Sequence, residues 1–256
     1  MTLFDLSGRR ALVVGIANDH SIAYGVARAL RQAGADLAVT YLNARAEPHV
    51  RPLAEALGAG IVMPLDVADA EQEAALFGRI ADQWGRLDVF VHSIAFAPRD
   101  DLHGRVVDTT AAGFGQAMDV SVHSFLRLAR RAEPLMTEGG TCMTMSFYGA
   151  EKVVSTYNVM GPVKAALEAT VRELATELGP KDITVNTLSP GTIATRAAGG
   201  LDHFDEMLQE AAARAPMRRL ATIDDVGAAA VFLAGPGARN ITGSTLHIDA
   251  GFHVTA

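Results

Sequence analysis

Short runs of β-branched and aliphatic residues alternate with longer amphipathic stretches along the whole chain. The short runs are Ala11–Gly15, Leu37–Leu42, Ile61–Asp66, Leu87–Ser93, Thr141–Phe147, Ile183–Ser189 and Thr245–Asp249. Several are apolar throughout rather than alternating, as expected for strands covered on both faces. Between them, helical periodicity falls at 22–33, 48–57, 69–84, 114–133, 157–177 and 223–234. Strand and helix in strict alternation predict a single-domain, doubly wound α/β fold of Rossmann type, with a seven-stranded parallel sheet and helices on both faces. No repeat or Pro/Ser-rich linker divides the chain. The one long irregular region, Pro190–Gly200, follows the sixth strand and leads into a short helical stretch. Ligands of such sheets bind beyond the carboxyl ends of the strands, so residues 192–213 are a candidate substrate lid. Within it Phe204, Met207 and Leu208 share one helical face, while Asp205, Glu206 and Glu210 lie elsewhere. Gly199 and Gly200 are its candidate hinge.

Composition narrows the function. The 256 residues carry a formal net charge of −7, which argues against general affinity for nucleic acid or acidic membranes. No apolar run approaches the ~20 residues that span a bilayer. The N-terminal segment lacks the order of a signal peptide, since its basic pair, Arg9-Arg10, comes last. The single cysteine, Cys142, sits in an apolar run and reads as a buried thiol in a reducing compartment, so a cytoplasmic location is expected. The eight histidines are scattered without ligand spacing, and no metal site is expected.

Two stretches carry candidate chemistry. The first strand leads into Gly15-Ile-Ala-Asn-Asp-His-Ser21-Ile22-Ala-Tyr-Gly25. Gly15 permits a tight turn, Ser21 is a good helix N-cap, and the amides of the helix start form an anion site suited to a pyrophosphate. The usual Gly-x-Gly-x-x-Gly fingerprint is absent. The second stretch, Ser155 to Leu167, reads as the start of a long helix. Tyr157 and Lys164 would then leave it on one face nearly two turns apart, with Gly161 leaving bare backbone between them for a flat ligand. A phenol can donate to a developing oxyanion, and an ammonium lowers the cost of negative charge beside it.

Gly-x5-Ser-Ile-Ala-x-Gly, taken with Tyr-Asn-Val-Met-Gly-x-x-Lys, closely resembles the NADH-type enoyl-acyl-carrier-protein reductases, a divergent branch of the short-chain dehydrogenase/reductases. The likeness extends through Leu65-Asp66-Val67, Val91-His92-Ser93-Ile94, Phe96-Ala97-Pro98, Gly149-Ala150-Glu151, Ile223-Asp224-Asp225-Val226-Gly227 and Ile248-Asp249-Ala250-Gly251-Phe252. The resemblance implies reduction of the 2,3 double bond of trans-2-enoyl thioesters by NADH in fatty-acid synthesis. It also implies a homotetramer acting on acyl chains held by a carrier protein. Carried over position by position, Gly15, Ser21 and Ile22 would hold the pyrophosphate, Asp66 and Val67 the adenine, and Ser93 and Ile94 the adenosine-ribose and nicotinamide side. Thr192, Ile193 and Thr195 would close over the carboxamide. Ala97 would sit beside the substrate, Tyr157 would bond the thioester carbonyl, and Lys164 the nicotinamide ribose.

Departures from the family pattern are informative. Phe147 stands where many members have a second tyrosine, and Tyr148 could supply that phenol only if the strand has already ended. Ala95 replaces the usual glycine after Ser-Ile, and Ser189-Pro-Gly-Thr192 looks more like ordinary short-chain dehydrogenases. Ketone-reducing relatives usually carry Tyr-x3-Lys and a serine thirteen residues before the tyrosine, where this chain has Gly161 and Thr144. At the end of the second strand Leu42 offers neither an acid nor a base, which favours NAD over NADP; Arg45 is the nearest cation in sequence. Asp202, Asp205, Glu206 and Glu210 crowd a stretch that is basic in some relatives; they read as a solvated helix face, or else as a sign that carrier recognition lies elsewhere or that the substrate is an enoyl-CoA. The same residues also fit a carbonyl or enoyl-CoA reductase on this scaffold, or a nucleotide-binding regulator without turnover.

Overall fold

The computed structural model describes residues 4–155, 157–195 and 204–255, apart from the side chains of residues 204, 205 and 207. The predicted hinge at Gly199 and Gly200 and the acid at Asp202 lie outside the described residues. So do the side chains of Phe204, Asp205 and Met207.

Seven strands form one parallel sheet: β1 (Arg10–Val14), β2 (Asp36–Tyr41), β3 (Ile61–Pro64), β4 (Val89–His92), β5 (Gly140–Met145), β6 (Ile183–Pro190) and β7 (Thr245–Ile248). They lie in the order β3-β2-β1-β4-β5-β6-β7, every pair parallel. The chain reverses its direction of winding between β1 and β4, where a crevice opens beyond the strand ends. Alternate strand residues face opposite cores. Ala11 and Val13 pack with α1 (Ile22–Gln32), α2 (Glu47–Ala56) and α9 (Ile223–Ala234), whereas Leu12 and Val14 pack with the helices of the other face. Those include α3 (Ala70–Trp84) and α7 (Met160–Leu178). β6 is buried at all eight positions although half of them are polar: Thr184, Asn186, Thr187 and Ser189 are buried alongside Ile183, Val185, Leu188 and Pro190, so burial on both faces does not require an unbroken apolar run.

Polar residues set the helix ends. Asp69 caps α3 by accepting from the amides of Glu71 and Gln72, and Thr222 with Asp225 forms a capping box at α9. Two further helices among the described residues are α4 (Arg99–Leu102) and α8 (Phe204–Arg214), and the 114–133 region adds two more. That region is not one helix. It consists of α5 (Ala111–Met118), one π turn (Asp119–His123) and α6 (Ser124–Ala132). Ser124 Oγ donates to the Val120 carbonyl at 2.7 Å, so the widened turn keeps that acceptor satisfied. α8 falls within the candidate lid; Leu208 is half-buried and Ala211 buried, and Glu210 pairs with Arg214 at 2.7 Å on the exposed side.

Candidate active site at the carboxyl edge of the sheet

Every site position read from the sequence follows the carboxyl end of a strand or lies on or just before α7. Gly15 leaves β1 with φ +106°, and a Cβ there would stand 2.1 Å from the Ser93 carbonyl oxygen. Only glycine allows the two loops to meet at the crevice. Ser93 N donates to Val14 O at 3.0 Å, so its loop continues the ladder by one bond before turning away. Ser121 Oγ then grips the Phe96 backbone at both N and O (2.9 and 3.1 Å), fixing the segment that holds Ile94 and Ala97.

α1 begins at Ile22, and its first acceptor, Ser21 O, takes the amides of Tyr24 and Gly25. The amides of Ile22 and Ala23 therefore face forward from the helix end, an arrangement suited to a pyrophosphate. Ser21 is the N-cap by position, but its side chain makes no cap bond. Its hydroxyl turns back to Asn18 O at 2.6 Å and orders the loop instead. After β2, Leu42 is 53% exposed, and Asn43 Oδ1 accepts from the amides of Arg45 and Ala46. After β3, Asp66 Oδ1 accepts from Ala68 N at 3.0 Å, and buried Val67 gives its carbonyl to Arg127 Nη2 at 2.5 Å. After β6, Gly191 N donates to Ile248 O and Thr195 N to Ile193 O, with Thr192 between them and Ile193 packed against the core. A dinucleotide needs a glycine turn, a free helix start and polar loop ends in one crevice, and these residues fit that requirement.

Tyr157 and Lys164 come together by a different route from the one expected. α7 starts at Met160, not at Tyr157, because Asn158 adopts a left-handed conformation (φ 46°) and its Nδ2 donates to Leu102 O at 2.7 Å. Tyr157 thus sits in a turn ahead of the helix. Gly161 lines the cavity beside the tyrosine, and a Cβ there would also meet the Gly149 carbonyl at 3.2 Å, so its bare backbone admits the neighbouring turn as well. The tyrosine ring is fixed by the end of β5. It packs 4.8 Å, centroid to centroid, from Phe147, and a Cβ on Gly149 would lie 2.5 Å from its Cδ1. Burial raises the phenol pKa and keeps it a proton donor.

Lys164 is 5% exposed, and its Nζ donates to the Met145 carbonyl at 2.6 Å. Burial pulls its pKa down to about 8, opposed by the nearby charge of Glu168. The two side chains are therefore anchored two residues apart at one strand end, the ammonium at Met145 and the phenol at Phe147. An open cavity of about 470 Å³ flanks the phenol, lined by Val106, Gly149, Val153, Pro162 and Ala165 among others.

β5 ends at Met145, so Phe147 and Tyr148 no longer alternate across a strand. The Tyr148 ring is turned to Phe252, packing edge-on 5.4 Å away. Thr144 is also directed elsewhere: it is fully buried and 3.1 Å from His92 Nδ1, while His92 Nε2 lies 2.8 Å from Ser124 Oγ. Since Ser124 donates onward to Val120, it accepts from Nε2–H, and Thr144 donates to Nδ1. Desolvation, with Lys164 nearby, drives the His92 pKa to about 3 and leaves the ring neutral. Cys142 is buried as expected, its thiol pushed up to about 12 by burial.

The roles of Gly149, the Met145 carbonyl and Glu168 were not read from the sequence. Glu168 had a visible signal, four residues beyond Lys164 on one helical face. The Met145 carbonyl had none, being backbone.

A family model described as enoyl-(acyl carrier protein) reductase matches residues 15–253. The NADH-type enoyl-acyl-carrier-protein reductase 1 of Rhizobium meliloti is 43% identical over 248 residues, covering 97% of this chain and 91% of that protein. Among solved structures, the reductase of Anaplasma phagocytophilum in complex with NAD superimposes with a TM-score of 0.94 at 45% identity, covering 98% of this chain and 96% of that one. The Bacillus cereus enoyl-acyl carrier protein reductase with NADP+ and indole naphthyridinone gives a TM-score of 0.96 at 44% identity over 100% of both chains. With the crevice, the Tyr157–Lys164 pair and these likenesses in agreement, the chain belongs to the enoyl-acyl-carrier-protein reductase family.

Proposed function

We propose that this chain reduces the 2,3 double bond of trans-2-enoyl thioesters with NADH, with Tyr157 as oxyanion donor and Lys164 as the cofactor-holding cation. The observation that carries the reading is the anchoring of both groups at the end of β5, Lys164 at Met145 and Tyr157 at Phe147. Bound NADH supplies the hydride for Cβ. Tyr157, kept protonated by burial, donates to the thioester carbonyl oxygen and holds the enolate that Cβ addition creates. Lys164 donates to the nicotinamide ribose and lends positive charge to the same region. Cα is then protonated through the tyrosine hydroxyl or a relayed water.

Gly15, Ser21 and Ile22 serve the pyrophosphate, and Leu42, Asp66 and Val67 the adenosine half. Ser93, Ile94, Thr192, Ile193 and Thr195 serve the nicotinamide side, and Ala97 borders the acyl chain. Ketone reduction is the weaker reading, because the Thr144 hydroxyl is taken up by His92 instead of facing a carbonyl. Acyl carrier protein as the bearer of the substrate is supported by the family. A homotetramer is supported by the family resemblance alone. A cytoplasmic setting is supported by the single unpaired thiol of Cys142. Residues 192–213 are read as a lid over cofactor and acyl chain.

Crotonyl-CoA offered with NADH or NADPH tests the assignment through kcat/KM. Turnover with NADH preferred is expected, since Leu42 places no cation at the end of β2. A preference for NADPH would overturn the cofactor part, and Arg45→Ala would then show which residue holds the extra phosphate.

A further inference from the structure

The end of β5 grips α7 twice. Met145 O accepts from Lys164 Nζ at 2.6 Å, and the next residue, Ser146, donates its hydroxyl to Glu168 Oε1 at 2.5 Å. Lys164 and Glu168 are four residues apart, so one turn of helix carries both buried ionisable groups on one face. Two consecutive residues at the strand end thus hold a cation and an acid one helical turn apart in a water-poor site. An isolated buried ammonium tends to lose its proton, and a neighbouring carboxylate counters that tendency.

We propose that Glu168, held by Ser146, is a positioning residue that keeps Lys164 protonated in the active site. The proposal rests on the reading of Lys164 as the cation that holds the cofactor. The surrounding groups agree with the role. His92 on β4 is neutral beside Lys164, so Glu168 supplies the countercharge. Around Glu168 itself, burial raises its pKa most, and Glu151 raises it further. The Ser146 bond, His247 on β7 and Arg172 on α7 lower it. Glu151 is itself paired with His247 at 3.4 Å, which limits its effect on Glu168. The Ser146 hydroxyl is therefore the chief group holding the carboxylate in its charged form.

The chain has only three lysines, Lys152, Lys164 and Lys181, which makes a direct measurement practical. With lysine carrying carbon-13 at Cε, each residue gives one resonance whose shift follows its protonation, and Lys164→Arg assigns the signal of interest. In Glu168→Gln the Lys164 midpoint is expected to fall by about one pH unit, a tenfold loss of proton affinity. Ser146→Ala should move it the same way by less, and Lys152 and Lys181 should stay in place. As pH rises Lys164 loses its charge, so the alkaline limb of kcat/KM for NADH should shift to lower pH by the same amount in Glu168→Gln. An unmoved Lys164 midpoint in folded Glu168→Gln would overturn the proposal, as would a limb that stays in place. Should Glu168→Gln fail to fold, Ser146→Ala tests the same coupling, and an unmoved midpoint there would overturn the proposal equally. The titration needs no substrate, so a protein inactive on enoyl thioesters would defeat the proposed reaction without deciding this inference.

Discussion

Replacing Gly149 with alanine isolates the placement of the phenol, because it touches neither the hydroxyl nor the cofactor loops. The new Cβ would lie 2.5 Å from Tyr157 Cδ1 and 2.9 Å from Cε1. Carbon atoms rest at about 3.5 Å or more, so ring and turn must separate by about 1 Å. The ring cannot simply slide away, since Phe147 packs against it. Forced overpacking of this kind costs about 1–3 kcal/mol of stability. A displacement of ~1 Å at a reacting group costs on the order of a hundredfold in rate. We therefore expect Gly149→Ala to lower kcat on crotonyl-CoA by ten- to a hundredfold while NADH Kd, read by cofactor fluorescence, stays within about threefold, or about 0.7 kcal/mol. Gly161→Ala is the matched control. Its Cβ meets one carbonyl at 3.2 Å, a few tenths of an ångström of adjustment, and alanine is the better helix former. A Gly149→Ala enzyme with wild-type kcat would refute the idea that this turn sets the tyrosine.

Three further outcomes are expected. Tyr157→Phe should lower kcat by on the order of a hundredfold, about 3 kcal/mol, with NADH Kd unchanged; full turnover would remove the phenol from the mechanism. His92 is held neutral with its pKa near 3 against 6.5 for a free side chain, so the unfolded chain takes up the proton first as pH falls. Its contribution is complete above pH 6.5 and drains away toward pH 3. Between pH 7 and 5 the wild type should lose about 2 kcal/mol more unfolding free energy in urea than His92→Gln, and equal losses would contradict the assignment. Hydrogen exchange across 197–212 should slow only when NAD and an enoyl analogue are both bound; strong protection in the free protein would sink the lid.

The parallel sheet was legible because short β-rich runs alternate with longer amphipathic ones, and β1, apolar from Ala11 to Val14 and fully buried there, is the clearest case; β6 is buried at all eight positions yet half polar, so burial on both faces was not legible there from apolarity alone. The candidate cofactor loops come from the resemblance, while the need for glycine at position 15 was legible in the chemistry, since its left-handed turn against Ser93 admits no side chain. The geometry of the Tyr157–Lys164 pair was not. Its spacing suits two turns of helix, but one hydrogen bond from Asn158 to a carbonyl 56 residues away starts α7 three residues late. Local periodicity holds no trace of so distant a partner. The π turn was hidden for a similar reason: Ser124 and His92 stabilise it from two elements, while the apolar pattern runs on through both helices. Ser21 shows the reverse error, a residue type well suited to capping whose hydroxyl found a nearer carbonyl.

In the proposed reaction hydride reaches Cβ while the carbonyl oxygen is only held. Following the label from NADH deuterated at C4 into the product of crotonyl-CoA reduction, read by NMR, tests this without intermediaries. The expected product is butyryl-CoA with cofactor deuterium at Cβ alone and a solvent-derived proton at Cα. Deuterium at the carbonyl carbon, or turnover of a ketone with no reduction of the enoyl thioester, would contradict it.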